Sequence, residues 1–196
     1  MQKTSWQLNS TDYLADLPLS AEGNPQVVAG PRGPAVAFAG AADGLFADSH
    51  PLQGIEAFTI EIVFRPERGG WAEQRFFHIG DPHGDRVLFE TRLTDRDEWY
   101  LDTFISSGSS HCTLLNEGFL HPLDAWYHLA MSCDGREQIN YVDGHMEQRG
   151  PIEFTPLGSG ALSIGVRLNR VCWFKGAIAE IHVTPEALGP EQFNLL

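Results

Sequence analysis

Hydrophobic and polar residues alternate with a period of two in several short stretches of this chain. In residues 57–64 the apolar positions on one face are Phe58, Ile60, Ile62 and Phe64, and the opposite face carries Thr59, Glu61 and Val63. Residues 126–133 alternate in the same way, with Tyr127, Leu129, Met131 and Cys133 on one side. A period of two is typical of a β-strand that buries one face.

Turn-forming residues separate such strands at short intervals. The segment 80–85 contains glycine, aspartate and proline and predicts a hairpin, as do the Asp-Gly pairs at 134–135 and 143–144. Further strands are predicted at residues 75–79, 86–92, 99–106, 111–115, 138–142, 162–167 and 178–183. Only residues 185–196 look helical, over one or two turns.

This organisation predicts an all-β fold made of antiparallel strands, because no βαβ alternation and no long helix is present. A length of 196 residues suits one domain, and 20 Gly and 12 Pro supply the turns. Residues 1–34 are polar and broken by Pro and Gly, so we expect an N-terminal arm or edge strand there. Residues 35–193 form the predicted core sandwich, which ends in one short C-terminal helix.

The charge balance restricts the partners. Acidic residues outnumber basic ones 26 to 13, which gives a net charge of −13, and the sequence contains no basic cluster. A chain of this kind repels polyanions, so we expect no nucleic-acid partner and no membrane insertion. The oligomeric state is left open.

The cysteines and the first residues of the chain give information about the cellular compartment of the protein. Cys112, Cys133 and Cys172 are an odd number without metal-ligand spacing, which fits buried thiols in a reducing compartment, although one disulfide plus a free thiol stays open. The first residues lack the apolar run of a signal peptide. The localisation is therefore unknown: a cytoplasmic protein or a chain that has lost its leader.

One hairpin carries a family resemblance. Residues 124–135 contain Trp126, His128 and a small apolar pair before the Asp-Gly turn, and Tyr141-Val142-Asp143-Gly144 follows. This stretch resembles the hallmark hairpin of laminin G-like domains in the concanavalin A-like lectin/glucanase superfamily. Residues 35–40, 58–66 and 176–188 are similar to the family's early, Phe-Thr-Ile and closing strands, in the family's order.

The resemblance implies a two-sheet antiparallel jelly-roll sandwich. Two sheets of this kind bury their inner faces against each other. The predicted core comprises Phe58, Ile60, Leu129, Met131, Ile139, Tyr141, Leu162 and Ile164. The fold hosts lectins, glycosidases, polysaccharide lyases and adhesion modules, so it does not by itself name a function.

Catalytic candidates are weak in this sequence. The alternating Glu-x-Asp-x-Glu string on which the family's glucanases rely is absent, and the acidic run 95–98 looks like a solvated loop. Polar residues in the non-core phase of the strands are Glu61, His78, Glu90, Arg92, Tyr100, Asp102 and His128. In sugar-binding relatives one such face is concave and carries the ligand. The same residues also suit an ordinary solvated face, with Arg92 paired to an acid.

These residues give candidate sites. The catalytic candidates are Glu61, Glu90, Asp102 and His128, and the ligand-binding candidates are His78, Arg92, Tyr100 and Trp99. Trp71 and Trp173 also suit stacking on sugar rings, with core packing as the alternative. The resemblance implies a structural calcium site near Gly40 with Asp43 as a ligand, but Ala179 replaces the aspartate of the closing strand. We therefore expect no cofactor, with calcium as the open alternative.

Three functions follow in order of preference. The first is a non-catalytic carbohydrate-binding or interaction module, whose glycan or protein ligand lies on the concave face or at loops 80–85 and 95–98. The second is a glycoside hydrolase or polysaccharide lyase that uses the acids of that face. The third is a structural domain that self-associates.

Overall fold

The computed structural model describes residues 2–196, which form two large antiparallel sheets. Within residues 2–196, eighteen strands follow one another, with a single three-residue 3-10 turn near the end. The strands are β1 Thr4–Gln7, β2 Tyr13–Leu14, β3 Leu17–Pro18, β4 Ser20–Glu22, β5 Gln26–Ala29, β6 Pro34–Ala39, β7 Gly44–Ala47, β8 Phe58–Pro66, β9 Glu73–Gly80, β10 Arg86–Leu93, β11 Glu98–Ser107, β12 Ser110–Leu115, β13 His121–Pro122, β14 Tyr127–Cys133, β15 Glu137–Val142, β16 His145–Pro151, β17 Ala161–Ile164 and β18 Lys175–Thr184.

The strand order is that of a jelly-roll sandwich and confirms the predicted fold class. The first sheet runs β16-β15-β14-β8-β18-β6-β5, with β1 added along β18. The second sheet runs β12-β11-β10-β9-β17-β7-β4, with β13 added along β11. Strands β2 and β3 pair only with each other. Residues 4–29 thus contribute strands to both sheets rather than one covering arm.

Apolar side chains from both sheets meet in one hydrophobic core. Phe64 lies at its centre, with ring centroids 4.9 Å from both Phe76 and Trp99 and 6.1 Å from Phe174. These aromatic contacts join β8 of the first sheet to β9 and β11 of the second. Large aromatic side chains contribute much of the burial that stabilises such an interface.

One strand was predicted in the wrong phase. Gln138 and Asn140 of β15 are fully buried and face the second sheet, whereas Ile139 is only half-buried on the outside. Thr103 of β11 bonds one atom of each inward amide: Gln138 Nε2 donates to its hydroxyl at 2.7 Å, and that hydroxyl donates to Asn140 Oδ1 at 2.9 Å. Among the described residues, Gln138 Oε1 and Asn140 Nδ2 have no hydrogen-bond partner. A hydrogen-bond network across the core therefore replaces the expected apolar contacts.

The predicted short C-terminal helix is one turn of 3-10 helix. Only Pro190–Gln192 forms a 3-10 turn, after which residues 193–196 run extended along the outside of the first sheet. We call residues 190–196 the C-terminal strap. The ring of Phe193 lies 5.0 Å from Tyr141, and Arg32 donates to the carbonyl oxygen of Leu195 at 2.9 Å. No helix within residues 2–196 has the length and apolarity to cross a membrane.

Candidate functional site

The outer face of the second sheet carries a polar pocket. On β10 the outward positions include Arg86, Leu88, Glu90 and Arg92, because side chains alternate along a strand. The register places Glu90 opposite Asp102 of β11. The ionic pocket, as we call it, has a volume of 260 Å³ and is lined by Arg75, Arg86, Leu88, Glu90, Arg92, Asp102, Phe104, Thr113 and Arg167.

Two arginines and three acids form one network in this pocket. Arg75 Nε donates to Glu90 Oε1 at 2.9 Å and contacts Glu73. Arg92 donates to Asp102 Oδ2 at 2.6 and 2.8 Å and lies 2.9 Å from Glu73. The structure therefore brings together Glu90, Arg92 and Asp102 from the predicted set.

The acids of this network lie deep in the pocket floor. The side chains of Glu90 and Asp102 are 5% and 3% exposed. Burial, together with the negative charge of Asp102, raises the pKa of Glu90 to about 7. Burial also raises the pKa of Asp102, against the opposing effect of its hydrogen bond from Arg92.

An apolar cleft lies beside the ionic pocket. This aromatic cleft has a volume of 690 Å³ and is lined by Ala41, Trp71, Ala72, Glu73, Val171, Cys172 and Trp173. Trp71 is 65% exposed, and its indole N–H donates to the carbonyl oxygen of Gly40 at 3.1 Å. Glu73 lines the cleft and also contacts both arginines of the network. Glu73 therefore connects the lining of the cleft to the ion-pair network of the pocket.

One loop shapes both parts of this site. The cover loop, residues 165–174, contributes Arg167 to the ionic pocket and Trp173 to the aromatic cleft. Its ends meet where Phe174 N–H donates to the carbonyl oxygen of Gly165 at 2.9 Å. Arg170 and Cys172 both have a φ of 59°, a backbone conformation that non-glycine residues rarely adopt. Such strain often accompanies a functional loop.

Two predicted ligand-binding residues are buried instead. The cover loop lies over His78, whose Nδ1 accepts a hydrogen bond from Leu168 N–H at 3.3 Å, so the imidazole has no exposed surface. Trp99 lies inside the sandwich, 5.0 Å from the ring of Tyr127. Neither side chain reaches a surface ligand, because in each case the neighbouring elements close over it.

Two predicted catalytic residues belong to the other sheet. Glu61 of β8 and His128 of β14 lie on the outer face of the first sheet, where the C-terminal strap covers them. His128 Nε2 lies 2.9 Å from Glu61 Oε1, and Asn194 donates to both oxygens of Glu61 at 2.7 and 2.8 Å. This pair fastens the strap and does not line a groove with Glu90 and Asp102.

Tyr100 and the loop 95–98 form a separate depression on the same face. Tyr100 is half-buried opposite Arg92 and lines a cavity with Asp95, Arg96 and Glu98. The loop 80–85 instead borders the ionic pocket, since the carbonyl oxygen of Pro82 accepts a hydrogen bond from Arg167.

Asp43, the calcium candidate near Gly40, is held by hydrogen bonds. Both carboxylate oxygens of Asp43 accept backbone N–H donors, from Asn24 and Ala39 at 2.8 Å each. The carbonyl oxygen of Ala179 accepts two more donors, from Gln7 and Leu8. Calcium needs six to eight free oxygens. Within residues 2–196 no group of three or more His, Cys, Asp or Glu side chains could hold a metal.

Sequence reasoning missed three arginines of the site, Arg75, Arg86 and Arg167. Arg86 begins β10 and Arg167 lies in the cover loop, so they are 81 positions apart and share no sequence pattern. Only the pairing of β9 with both β10 and β17 brings their segments together.

A family model described as the concanavalin A-like lectin/glucanases superfamily, of laminin G type, matches residues 39–193. No curated protein sequence gives a significant match to the chain.

Several solved structures share the fold. Domain 4 of AbnA, a GH43 extracellular arabinanase from Geobacillus stearothermophilus in complex with arabinotriose, has 19% identity and a TM-score of 0.65, covering 97% of this chain and 85% of that one. The binding domain of botulinum neurotoxin DC in complex with SialylT has 9% identity and a TM-score of 0.70, covering 98% and 49%. The chain thus spans about half of that toxin domain. A heptameric SAP-like pentraxin from Limulus polyphemus has 16% identity and a TM-score of 0.63, covering 80% and 77%.

Proposed function

Because this chain belongs to the concanavalin A-like lectin/glucanase superfamily, we propose that it is a non-catalytic carbohydrate-binding module. Its glycan lies on the outer face of the second sheet, along the aromatic cleft and the ionic pocket. The observation that carries the proposal is Trp71, whose indole is 65% exposed beside a cleft of 690 Å³.

Several properties of the cleft suit a sugar. An exposed tryptophan is unfavourable in water, but its flat apolar face matches the C–H face of a pyranose or furanose ring. The hydrogen bond to Gly40 holds the indole, so little side-chain freedom is lost when a ligand binds. Glu73, Arg75 and Arg92 supply polar groups for sugar hydroxyls next to the apolar wall.

The similar structures support a glycan rather than another ligand. The arabinanase domain is in complex with arabinotriose, and the neurotoxin binding domain is in complex with SialylT. Glycan complexes are therefore found in two proteins of different function that share this fold over 85% and 49% of their chains. For this chain the ligand class is inferred from that occurrence together with the cleft.

The test is calorimetry of the purified chain against neutral and acidic oligosaccharides, repeated with Trp71→Ala. We expect the substitution to weaken glycan binding about tenfold or more, because a stacked aromatic ring is lost, while the melting temperature changes little. Trp126→Ala is the matched control, since Trp126 lies half-buried against Val63 on the first sheet. Equal affinity in wild type and Trp71→Ala would contradict the proposed site.

A second candidate function is glycoside hydrolysis in the ionic pocket. A carboxyl with a pKa of about 7 opposite a second acid is an arrangement that general acid catalysis uses. Against this, both acids are almost fully buried and engaged by arginines.

Hydrolysis is tested by incubating the chain with polysaccharides and measuring new reducing ends. A catalytic role predicts turnover that Glu90→Gln abolishes while glycan binding persists. If the wild-type chain binds a polysaccharide without producing new reducing ends, hydrolysis is excluded for that polysaccharide and the non-catalytic module stays the proposed function.

A further inference from the structure

Two of the four arginines in the ionic pocket form ion pairs within residues 2–196, and the other two do not. Four of the 11 arginines of the chain line it, in a protein whose net charge is −13. Its two lining acids, Glu90 and Asp102, contact Arg75 and Arg92, and Glu73 of the neighbouring cleft contacts the same two arginines. Each of these carboxylates therefore already has a guanidinium partner.

Arg86 and Arg167 are the two pocket arginines that form no ion pair with these acids. Arg86 Nη1 donates to the carbonyl oxygen of Gly84 at 2.6 Å, and Arg167 Nη2 donates to that of Pro82 at 2.8 Å. The Nε atom of each is buried without a hydrogen-bond partner. Across residues 2–196, neither guanidinium has a carboxylate within 4.0 Å.

Nearby acids are held away from these arginines. Asp81 Oδ1 accepts the backbone N–H groups of His83 and Gly84 at 2.7 and 2.9 Å. Asp85 Oδ1 accepts that of Gly108 at 2.7 Å. Both carboxylates therefore stabilise turns at the rim, and neither forms an ion pair in the pocket.

The two guanidinium groups act on each other and on their surroundings. Burial and the charge of Arg167 lower the pKa of Arg86. Burial, followed by the charges of Arg167 and Arg86, lowers the pKa of His78 to about 3. The charges of Glu90, Asp81 and Asp85 oppose the lowering of the Arg86 pKa, and a bound anion would stabilise both guanidinium groups further.

The pocket also holds one of these groups in a fixed orientation. The guanidinium carbon of Arg86 lies 4.8 Å from the ring centroid of Phe104, which is a cation–π contact. A planar guanidinium fixed in this way presents its N–H donors in the fork geometry that matches carboxylate and sulfate oxygens. Leu88 and Phe104 supply an apolar floor beside it.

We infer that the glycan bound here is acidic, and that Arg86 and Arg167 bind its carboxylate or sulfate substituent. The inference rests on the proposed function and names the substrate class of the same site. Uronic acids, sialic acids and sulfated sugars carry such groups. The aromatic cleft then takes a neighbouring sugar ring of the same chain.

The experiment uses matched pairs of oligosaccharides that differ only in the anionic group. Calorimetry compares trigalacturonate with its carboxyl-reduced form, sialyllactose with lactose, and 6-sulfated with unsulfated N-acetyllactosamine. We expect the acidic member of at least one pair to bind about tenfold or more tightly than its neutral partner, because charge-assisted hydrogen bonds are lost without the anion. The pair in which the acidic member binds more tightly shows whether the recognised group is a carboxylate or a sulfate.

Substitutions of the two arginines test whether these side chains bind the acidic group of the sugar. Arg86→Gln and Arg167→Gln are each expected to reduce the affinity for the acidic sugar to that for the neutral one. Arg86→Lys keeps the positive charge but removes the forked pair of N–H donors, so we expect a smaller loss of affinity for the acidic sugar. This variant replaces Arg86→Gln if the glutamine variant fails to fold. Arg149→Gln is the matched control, because Arg149 is 56% exposed on β16 of the first sheet.

The outcomes separate the inference from the proposed function. Equal affinity for both members of every pair that binds, unchanged in the arginine variants, would overturn the acidic ligand and leave glycan binding intact. Folded wild-type chain that binds no oligosaccharide would overturn the proposed function and the inference together.

Discussion

The ionisation of Glu90 links the candidate site to stability. Its pKa in the folded chain is about 7, against an ordinary value of 4.5, so the folded state favours the protonated carboxyl. The resulting stabilisation is fully present below about pH 4.5 and is lost as the pH rises through about 7. Groups that face Glu90 are Arg75 and Glu73 of β9, Arg92 of β10, Asp102 of β11 and the pocket arginines Arg86 and Arg167.

We expect Glu90→Gln to remove this pH dependence. Between pH 5.5 and 8, the free energy of unfolding of the wild type should fall relative to that of the variant by on the order of 1–2 kcal/mol. Urea unfolding of both chains at the two pH values measures the difference. Glu117→Gln, at an exposed position, controls for the loss of one negative charge. Parallel curves for wild type and Glu90→Gln would show that the folded pKa is not raised.

Single residues also show where sequence reasoning succeeds. Period two correctly placed Glu90, Arg92 and Asp102 on one outward face, because alternation is a local property of each strand. The same rule placed Glu61 outward, also correctly, but it contains no information about the C-terminal strap that covers it. Burial of an outward residue depends on segments far away in the sequence.

At the scale of elements, the cover loop depends on one glycine. Gly165 has a φ of 83°, and a Cβ atom there would lie 2.2 Å from the Phe38 ring. Its N–H donates to the carbonyl oxygen of Phe76 at 2.9 Å, which fixes the start of the loop against β9. An added methyl group must therefore move either the loop or a core aromatic ring.

We expect Gly165→Ala to destabilise the chain by about 2–4 kcal/mol, the sum of backbone strain and overpacking. Glycan affinity should fall as well, because Arg167 and Trp173 shift with the loop. Chemical denaturation measures the first effect and calorimetry the second. Gly158→Ala is the control, since no atom lies within 4 Å of its added Cβ and it should change stability by less than about 0.5 kcal/mol. Equal stability of the two variants would refute the role of Gly165.

Strand prediction worked for elements with strong alternation and failed elsewhere. The hairpin of β14 and β15 was located from its Asp-Gly turn, but the inward face of β15 was assigned by hydrophobicity alone. Gln138 and Asn140 lie inward, where Thr103, on a strand of the other sheet, forms one hydrogen bond with each amide. Strand β16, which has no apolar alternation, was not predicted at all.

For the whole molecule, the two outer faces have different roles. The first sheet is covered near its centre by the C-terminal strap, which Glu61 and Arg32 hold in place. The second sheet is covered by the cover loop over β9 and β17 but open over β10 and β11. The sandwich was predictable from strand spacing and the hairpin motif, whereas the choice of binding face was not, because it depends on which loop covers which strands.

The cover loop separates ligand choice from folding. Its anchors at Gly165 and Phe174 belong to the sandwich framework, while Arg167 and Trp173 between them reach the two halves of the site. On the proposed function, we expect substitutions of Arg167 and Trp173 to change the sugar preference while the strands beneath stay the same. The surface segment that lines the proposed site is therefore distinct from the strands that stabilise the β-sandwich.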